Sequence, residues 1–121
     1  GLAGSLDDSY EVIGISALKG ASDLERRVQE LLDGLASQQC ARWHIKHDFH
    51  CGGFARVHHP LQEFMLAFER VHGVPLDPVY TGKMLFAIHQ LFANGQCGAD
   101  TPLLAVHTGG LQGRRGYAWL C

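Results

Sequence analysis

Four residues of metal-ligating type crowd one stretch of the chain: His44, His47, His50 and Cys51. Imidazole and thiolate are the usual zinc ligands. Their spacing argues against such a centre. A separation of three on a strand sends His44 and His47 to opposite faces, and only a helix would bring them together. Trp43-His44-Ile45, with Gly52 and Gly53 just beyond, argues against a helix. No metal is therefore expected. Cys51, beside His50 and the two glycines, has neighbours that could leave it exposed and reactive. No family-specific signature of a cysteine nucleophile surrounds it, so packing is its expected role. His58-His59 decorates the start of a helix, and His72 and His89 sit on helices.

Two loops hold more chemistry. In "LLAVHTGGLQG", an apolar run ends at His107-Thr108, then Gly109 and Gly110 follow at once. Ligands of open parallel sheets sit outside the carboxyl ends of the strands. Glycines there let a flat or anionic ligand approach the backbone, and a helix start just behind adds free N–H groups. The spacing is not G-x-G-x-x-G, so no dinucleotide fingerprint is present. A tight strand-to-helix turn is the competing reading, and the residues alone leave both open. In "LDPVYTGK", Asp77-Pro78 suits a short turn and Thr81 suits the cap of a following helix. Tyr80 then sits at a turn. Its hydroxyl either points into a cleft or wets the tip of a packed ring. Lys83 is expected to be solvated.

The elements that must position these residues follow from periodicity. Tyr10 to Ser16 reads as a buried strand. Ser22-Asp23-Leu24-Glu25 has the form of a capping box, after which Leu24, Val28, Leu31, Leu32 and Leu35 share a helical face. A strand over Arg42 to Asp48 puts Trp43, Ile45 and His47 on one side and His44, Lys46 and Asp48 on the other. His50 to His59 is a loop. Pro60 suits the first turn of a helix with Leu61, Phe64, Met65, Phe68 and Val71 on its buried face and Gly73 at its end. Leu85, Ile88, Leu91 and Phe92 stripe the next helix, which Asn94-Gly95 stop. Leu103 to His107 is read as the last strand, and a final helix starts near Gly110. Strands alternating with helices predict an α/β, three-layer arrangement of parallel strands covered by helices.

The chain has 121 residues and a formal net charge of -2, consistent with one domain over 1–121. The near-neutral balance gives no electrostatic reason to expect nucleic acid or an acidic membrane surface as a partner. No apolar run approaches the ~20 residues that span a bilayer. The four cysteines, Cys40, Cys51, Cys97 and Cys121, are widely spaced and read as free thiols of a cytoplasmic protein. The opening Gly-Leu-Ala-Gly-Ser-Leu reads like the tail of a helix, and three strands make a thin sheet. Both lead to the expectation that this is a piece of a longer protein.

"LDPVYTGK" followed by "HTGGLQG" closely resembles the carboxyl-terminal half of the 1-aminocyclopropane-1-carboxylate deaminase / D-cysteine desulfhydrase family. The earlier "VIGISALKG" and "HCGGFAR" segments look like the preceding strand, helix junction and active-site loop of the same family, so the resemblance covers nearly the whole chain. It implies a fragment of a tryptophan synthase β-like enzyme that uses pyridoxal 5'-phosphate (PLP) and acts on a small amino acid. Thr108 would offer its hydroxyl to the ring nitrogen of the cofactor, with Gly109, Gly110 and Thr81 on the cofactor side. A neutral hydroxyl there moderates the electron sink. Tyr80 matches the family's active-site tyrosine, a candidate acid/base or substrate-orienting group. Phe54 stands where the family has a second tyrosine and would lie near the substrate.

Ring-opening deaminases carry glutamate directly after the tyrosine, where this chain has Thr81, and lack the threonine seen at Thr108. The pattern is closer to D-cysteine desulfhydrases, which release sulfide, pyruvate and ammonia. The rivals are a cyclopropane-carboxylate deaminase and a non-catalytic binding or interaction module. The Schiff-base lysine and the phosphate loop are expected upstream, since Lys19, Lys46 and Lys83 lack the matching context. The isolated chain is therefore expected to be inactive. Its partners are expected to be the missing amino-terminal part and, from the resemblance, a second copy in a homodimer. The face left by the missing part is expected to expose apolar surface.

Overall fold

The computed structural model describes residues 1–36 and 40–120. It is a mixed helix and strand structure with a small parallel sheet. One helical turn, α1 (Leu2–Ser5), leads into β1 (Glu11–Ile15), α2 (Leu24–Asp33) and β2 (Arg42–Lys46). Two longer helices follow, α3 (His59–His72) and α4 (Thr81–Ala93), then two 3-10 turns at Leu111–Gly116 and Ala118–Leu120. β1 and β2 run parallel with Val12 opposite Trp43 and Ile13 opposite His44. This β-helix-β unit matches the expectation from sequence, because parallel strands need a crossover between them. The strand faces also match: His44 reaches Glu11 at 3.3 Å, while His47 reaches Glu25 on α2 at 2.6 Å.

Four sequence expectations are corrected. Leu103 to His107 forms no strand, and among the described residues the sheet has two strands, not the three expected. An extended segment becomes a strand by joining a ladder. β1 and β2 pair with one another, no ladder joins this segment to them among the described residues, and Leu104 is 88% exposed. The final helix is a run of 3-10 turns from Leu111. The Ser22–Glu25 capping box does not form. α2 begins at Leu24, so Asp23 holds the N-cap position and Ser22 lies one residue too early. The buried face of α4 runs through Lys83, Phe86, Ala87 and Leu91, leaving Leu85 and Ile88 half-buried and Phe92 exposed. Cys40, Cys51 and Cys97 are free thiols, and Cys121 lies outside the described residues. No described helix is long and apolar enough to cross a membrane.

The core sits between α3 and α4. Leu61, Met65, Leu76 and Phe86 are buried there with Cys51, and Val57, Phe64, Phe68 and Trp119 pack around them. His58 caps α3 by accepting from the Leu61 N–H at 3.1 Å, Pro60 occupies its first turn, and Gly73 ends it at φ 66°. Gly82 permits the tight crossing of the two helices. A Cβ there would lie 2.7 Å from both the Asp77 carbonyl and the Met65 sulfur. Leu61→Ala would remove a fully buried side chain at a cost of about 2–5 kcal/mol.

Candidate active site

Three loops meet at the start of α4. The first is the turn 75–80. Asp77 is 1% exposed, and its carboxylate accepts from the N–H groups of Val79 (2.9 Å), Tyr80 (2.8 Å) and Thr81 (2.8 Å) and from the Thr81 hydroxyl (2.7 Å). Thr81 Oγ1 in turn accepts from Asp77 N–H at 3.0 Å. A carboxylate at a helix start satisfies the free N–H groups of the first turn and faces the positive end of the helix dipole. Asp77 therefore does the capping that the sequence assigns to Thr81. The result fixes the Tyr80 backbone while leaving its ring half-exposed, and its hydroxyl makes no hydrogen bond among the described residues.

The second loop, 107–110, is laid against the first. The His107 Nε2–H donates to the Pro75 carbonyl at 3.2 Å, which leaves Nδ1 to accept the Gly109 N–H at 3.1 Å. Gly109 and Gly110 both take positive φ, 88° and 87°, a conformation that side chains disfavour. Gly110 rests on Asp77, where a Cβ would come within 3.3 Å of Oδ2, while the space beside Gly109 is open. Thr108 is exposed at the same lip. Arg114 fastens the segment from behind, donating to the Leu76 carbonyl at 2.8 Å and to both Glu69 oxygens.

The third loop is the stretch His50–Arg56. Cys51, Gly52, Gly53 and Ala55 all have positive φ, two of them without being glycine. Gly53 N–H donates to the His50 carbonyl and Arg56 N–H to the Gly53 carbonyl, each at 3.1 Å. The turn presents Phe54, whose ring lies 6.1 Å from that of Tyr80. Cys51 points inward, its Sγ 3.3 Å from the Phe49 carbonyl. Burial pushes its thiol pKa up, against a smaller opposing pull from the Lys83 charge. That is the environment of a packed thiol, not of an activated nucleophile.

Lys83 corrects the sequence reading most sharply. It is fully buried, and Nζ donates to the His50 and Gly53 carbonyls at 2.7 Å each. Burial pushes its pKa down, with the Cys51 and Asp77 charges opposing. The pattern that could have revealed it is Lys83, Ala87, Leu91 at spacing four along α4.

The structure thus gathers Phe54, Tyr80, Thr108, Gly109 and Gly110 around the Asp77 turn, and turns the Thr81 side chain inward. Among the described residues no group of three or more His, Cys, Asp or Glu could hold a metal ion. A ring-shaped cofactor fits the donor set: an exposed hydroxyl at Thr108 beside backbone without side chains. The sequence assigns Asp77 to a short turn and does not reveal its cap of α4, and it leaves Arg114 unassigned because a loop-fastening guanidinium looks like an ordinary surface charge there.

No protein-family model matches the chain. It is 29% identical over 104 residues to the D-cysteine desulfhydrases of Salmonella paratyphi C (strain RKS4594) and Salmonella choleraesuis (strain SC-B67), and 28% identical to that of Salmonella typhi. Each similarity covers 83% of this chain and 32% of the relative. The chain spans about a third of the length of the curated relatives it matches. It is distantly similar to a group of enzymes that act as D-cysteine desulfhydrases.

Proposed function

We propose that this chain is the carboxyl-terminal part of a PLP-dependent lyase of the D-cysteine desulfhydrase type, supplying one wall of its active site. The observation that carries the reading is the convergence of the Tyr80 turn and the Gly109–Gly110 loop on one buried carboxylate, Asp77. It coincides with similarity to D-cysteine desulfhydrases over most of the chain.

When bound, PLP supplies an electron sink for negative charge developing beside the substrate nitrogen. The residues of this chain act around it. Thr108 offers a neutral hydroxyl to the ring nitrogen. Gly109, with open space beside it, would let the ring approach the backbone, and Gly110 would support it by resting the loop on Asp77. Tyr80, anchored through its N–H, presents a free hydroxyl that orients the substrate or carries a proton at the reacting carbon. Phe54 closes over a small side chain. Thr81 acts from behind, through Asp77, by fixing the turn that carries Tyr80. Lys83 is committed to two carbonyls and does not serve as the Schiff-base lysine, which the resemblance puts upstream of this chain because Lys19 and Lys46 lack the matching context.

The test is turnover by the whole protein loaded with PLP. The expected result is equal release of sulfide and pyruvate from D-cysteine, with no ring opening of 1-aminocyclopropane-1-carboxylate. Ring opening without sulfide release would overturn the substrate assignment. Failure to retain PLP would overturn the enzyme reading in favour of a binding module.

A further inference from the structure

The loop that carries Phe54 is tied to α4 by the Lys83 ammonium, three residues beyond Tyr80. Its two acceptors, the carbonyls of His50 and Gly53, do not require it. Each already accepts a backbone N–H, from Gly53 and Arg56 respectively. Sequestering a cation is costly unless something is gained. What it contacts is the densest run of positive-φ backbone among the described residues, with four such residues from Cys51 to Ala55. Such conformations persist only where surrounding structure holds them. The Gly53 carbonyl leads directly into Phe54, and Phe54 meets Tyr80 across a gap of 6.1 Å between ring centres.

We propose that Lys83 is the positioning residue of the substrate loop: by gathering the His50 and Gly53 carbonyls it holds Phe54 against Tyr80 and sets the width of the substrate opening. The holding of the loop stands on the geometry alone. Its consequence for substrate rests on the reading of Phe54 and Tyr80 as the substrate-facing pair. Tyr80 keeps its own anchor in Asp77, so loss of the Lys83 tie frees one side of the pair and leaves the other in place.

Lys83→Met in the whole protein keeps an unbranched apolar stem, one bond shorter than that of lysine, and removes the cation. The loop is read through Cys51, which is buried now and becomes open to iodoacetamide when the loop lets go. Alkylation mapped by mass spectrometry should be about ten-fold faster at Cys51 in K83M, with the exposed Cys40 unchanged as reference. With D-cysteine, KM should rise about ten-fold while kcat stays within about threefold, and Lys83→Arg, which keeps donors for both carbonyls, should recover part of the loss. Wild-type alkylation of Cys51 and wild-type KM in folded K83M would overturn the proposal. Should K83M not fold, Lys83→Gln is read the same way. Its amide is one bond shorter and cannot span both carbonyls, so wild-type behaviour there overturns the proposal equally. Absence of D-cysteine turnover in the wild type defeats the proposed function and leaves the alkylation comparison intact.

Discussion

The segment from His50 to Leu91 and the segment from Leu24 to Asp33 are both amphipathic, yet they meet different fates. In the first, α3 and α4 bury Leu61, Met65, Phe86 and Leu91 against one another, and the loops between them carry the candidate site. In the second, α2 has a well-formed apolar stripe and buries none of its residues, with Leu31 74% exposed. The sheet beneath it has two strands, fewer than an independently stable sheet normally needs. An apolar stripe seeks a partner layer. The α3–α4 pair buries its stripes within these residues, whereas α2 lies on the two-stranded sheet with Leu24, Val28 and Leu32 only half-buried. The candidate site therefore rests on the better-buried part of the chain.

The sharpest way to break this comparison is a pair of truncations. Leu61→Ala should cost about 2–5 kcal/mol of stability, while Leu31→Ala in the isolated chain should stay within about 0.5 kcal/mol, both read from denaturant midpoints. Equal effects would show that α2 is packed after all. Next in size is Asp77→Ala, which orphans the first N–H groups of α4 and detaches the Gly110 loop. A loss of about 2–3 kcal/mol is expected, with hydrogen exchange accelerated at Tyr80 and Thr81 before the rest of α4. Uniform exchange across α4 would deny Asp77 its role as the junction.

A pH series sharpens the same contrast. The Lys83 pKa lies below its usual 10.5 in the folded chain. In the window between the lowered value and 10.5 the unfolded chain binds more protons, so the Lys83 contribution to stability rises with pH there. Cys51 does the opposite. Its pKa is raised above 9.0, so the folded chain keeps a proton that the unfolded chain has lost, and stability falls as pH climbs through that window. The melting temperature of Lys83→Met relative to wild type should therefore drop as pH rises toward 10.5, while that of Cys51→Ala should climb. Parallel curves would contradict the burial of both groups. The smallest effect belongs to the α2 half. The His47 hydrogen bond holds the Glu25 carboxyl below its usual range, yet the pair is only half-buried. His47→Ala should raise the Glu25 pKa and move the melting temperature by no more than about a degree.

Local patterns were legible in the sequence to different degrees. Strand pairing, the Pro60 start and Gly73 stop of α3, and the meeting of Phe54, Tyr80 and the Gly109–Gly110 turn all follow from local pattern or from the resemblance. Leu103 to His107 did not, because its apolar run has a strand's composition, while strand formation depends on a neighbour that composition cannot supply. Lys83 was misread because a lysine near a helix start is normally solvated. Only the fold of the 50–56 loop provides the two carbonyls that make its burial tolerable. Asp77 takes over the capping assigned to Thr81 for a similar reason: both are good caps, and α4 begins at Thr81 itself, which puts that side chain inside the first turn and leaves the free N–H groups to the Asp77 carboxylate.

If these residues form one wall of a PLP site whose cofactor-bearing lysine lies elsewhere, as proposed, borohydride reduction of the PLP-loaded whole protein followed by peptide mapping yields a single stoichiometric adduct on a lysine outside these 121 residues. An adduct on Lys19, Lys46 or Lys83 would contradict that proposal.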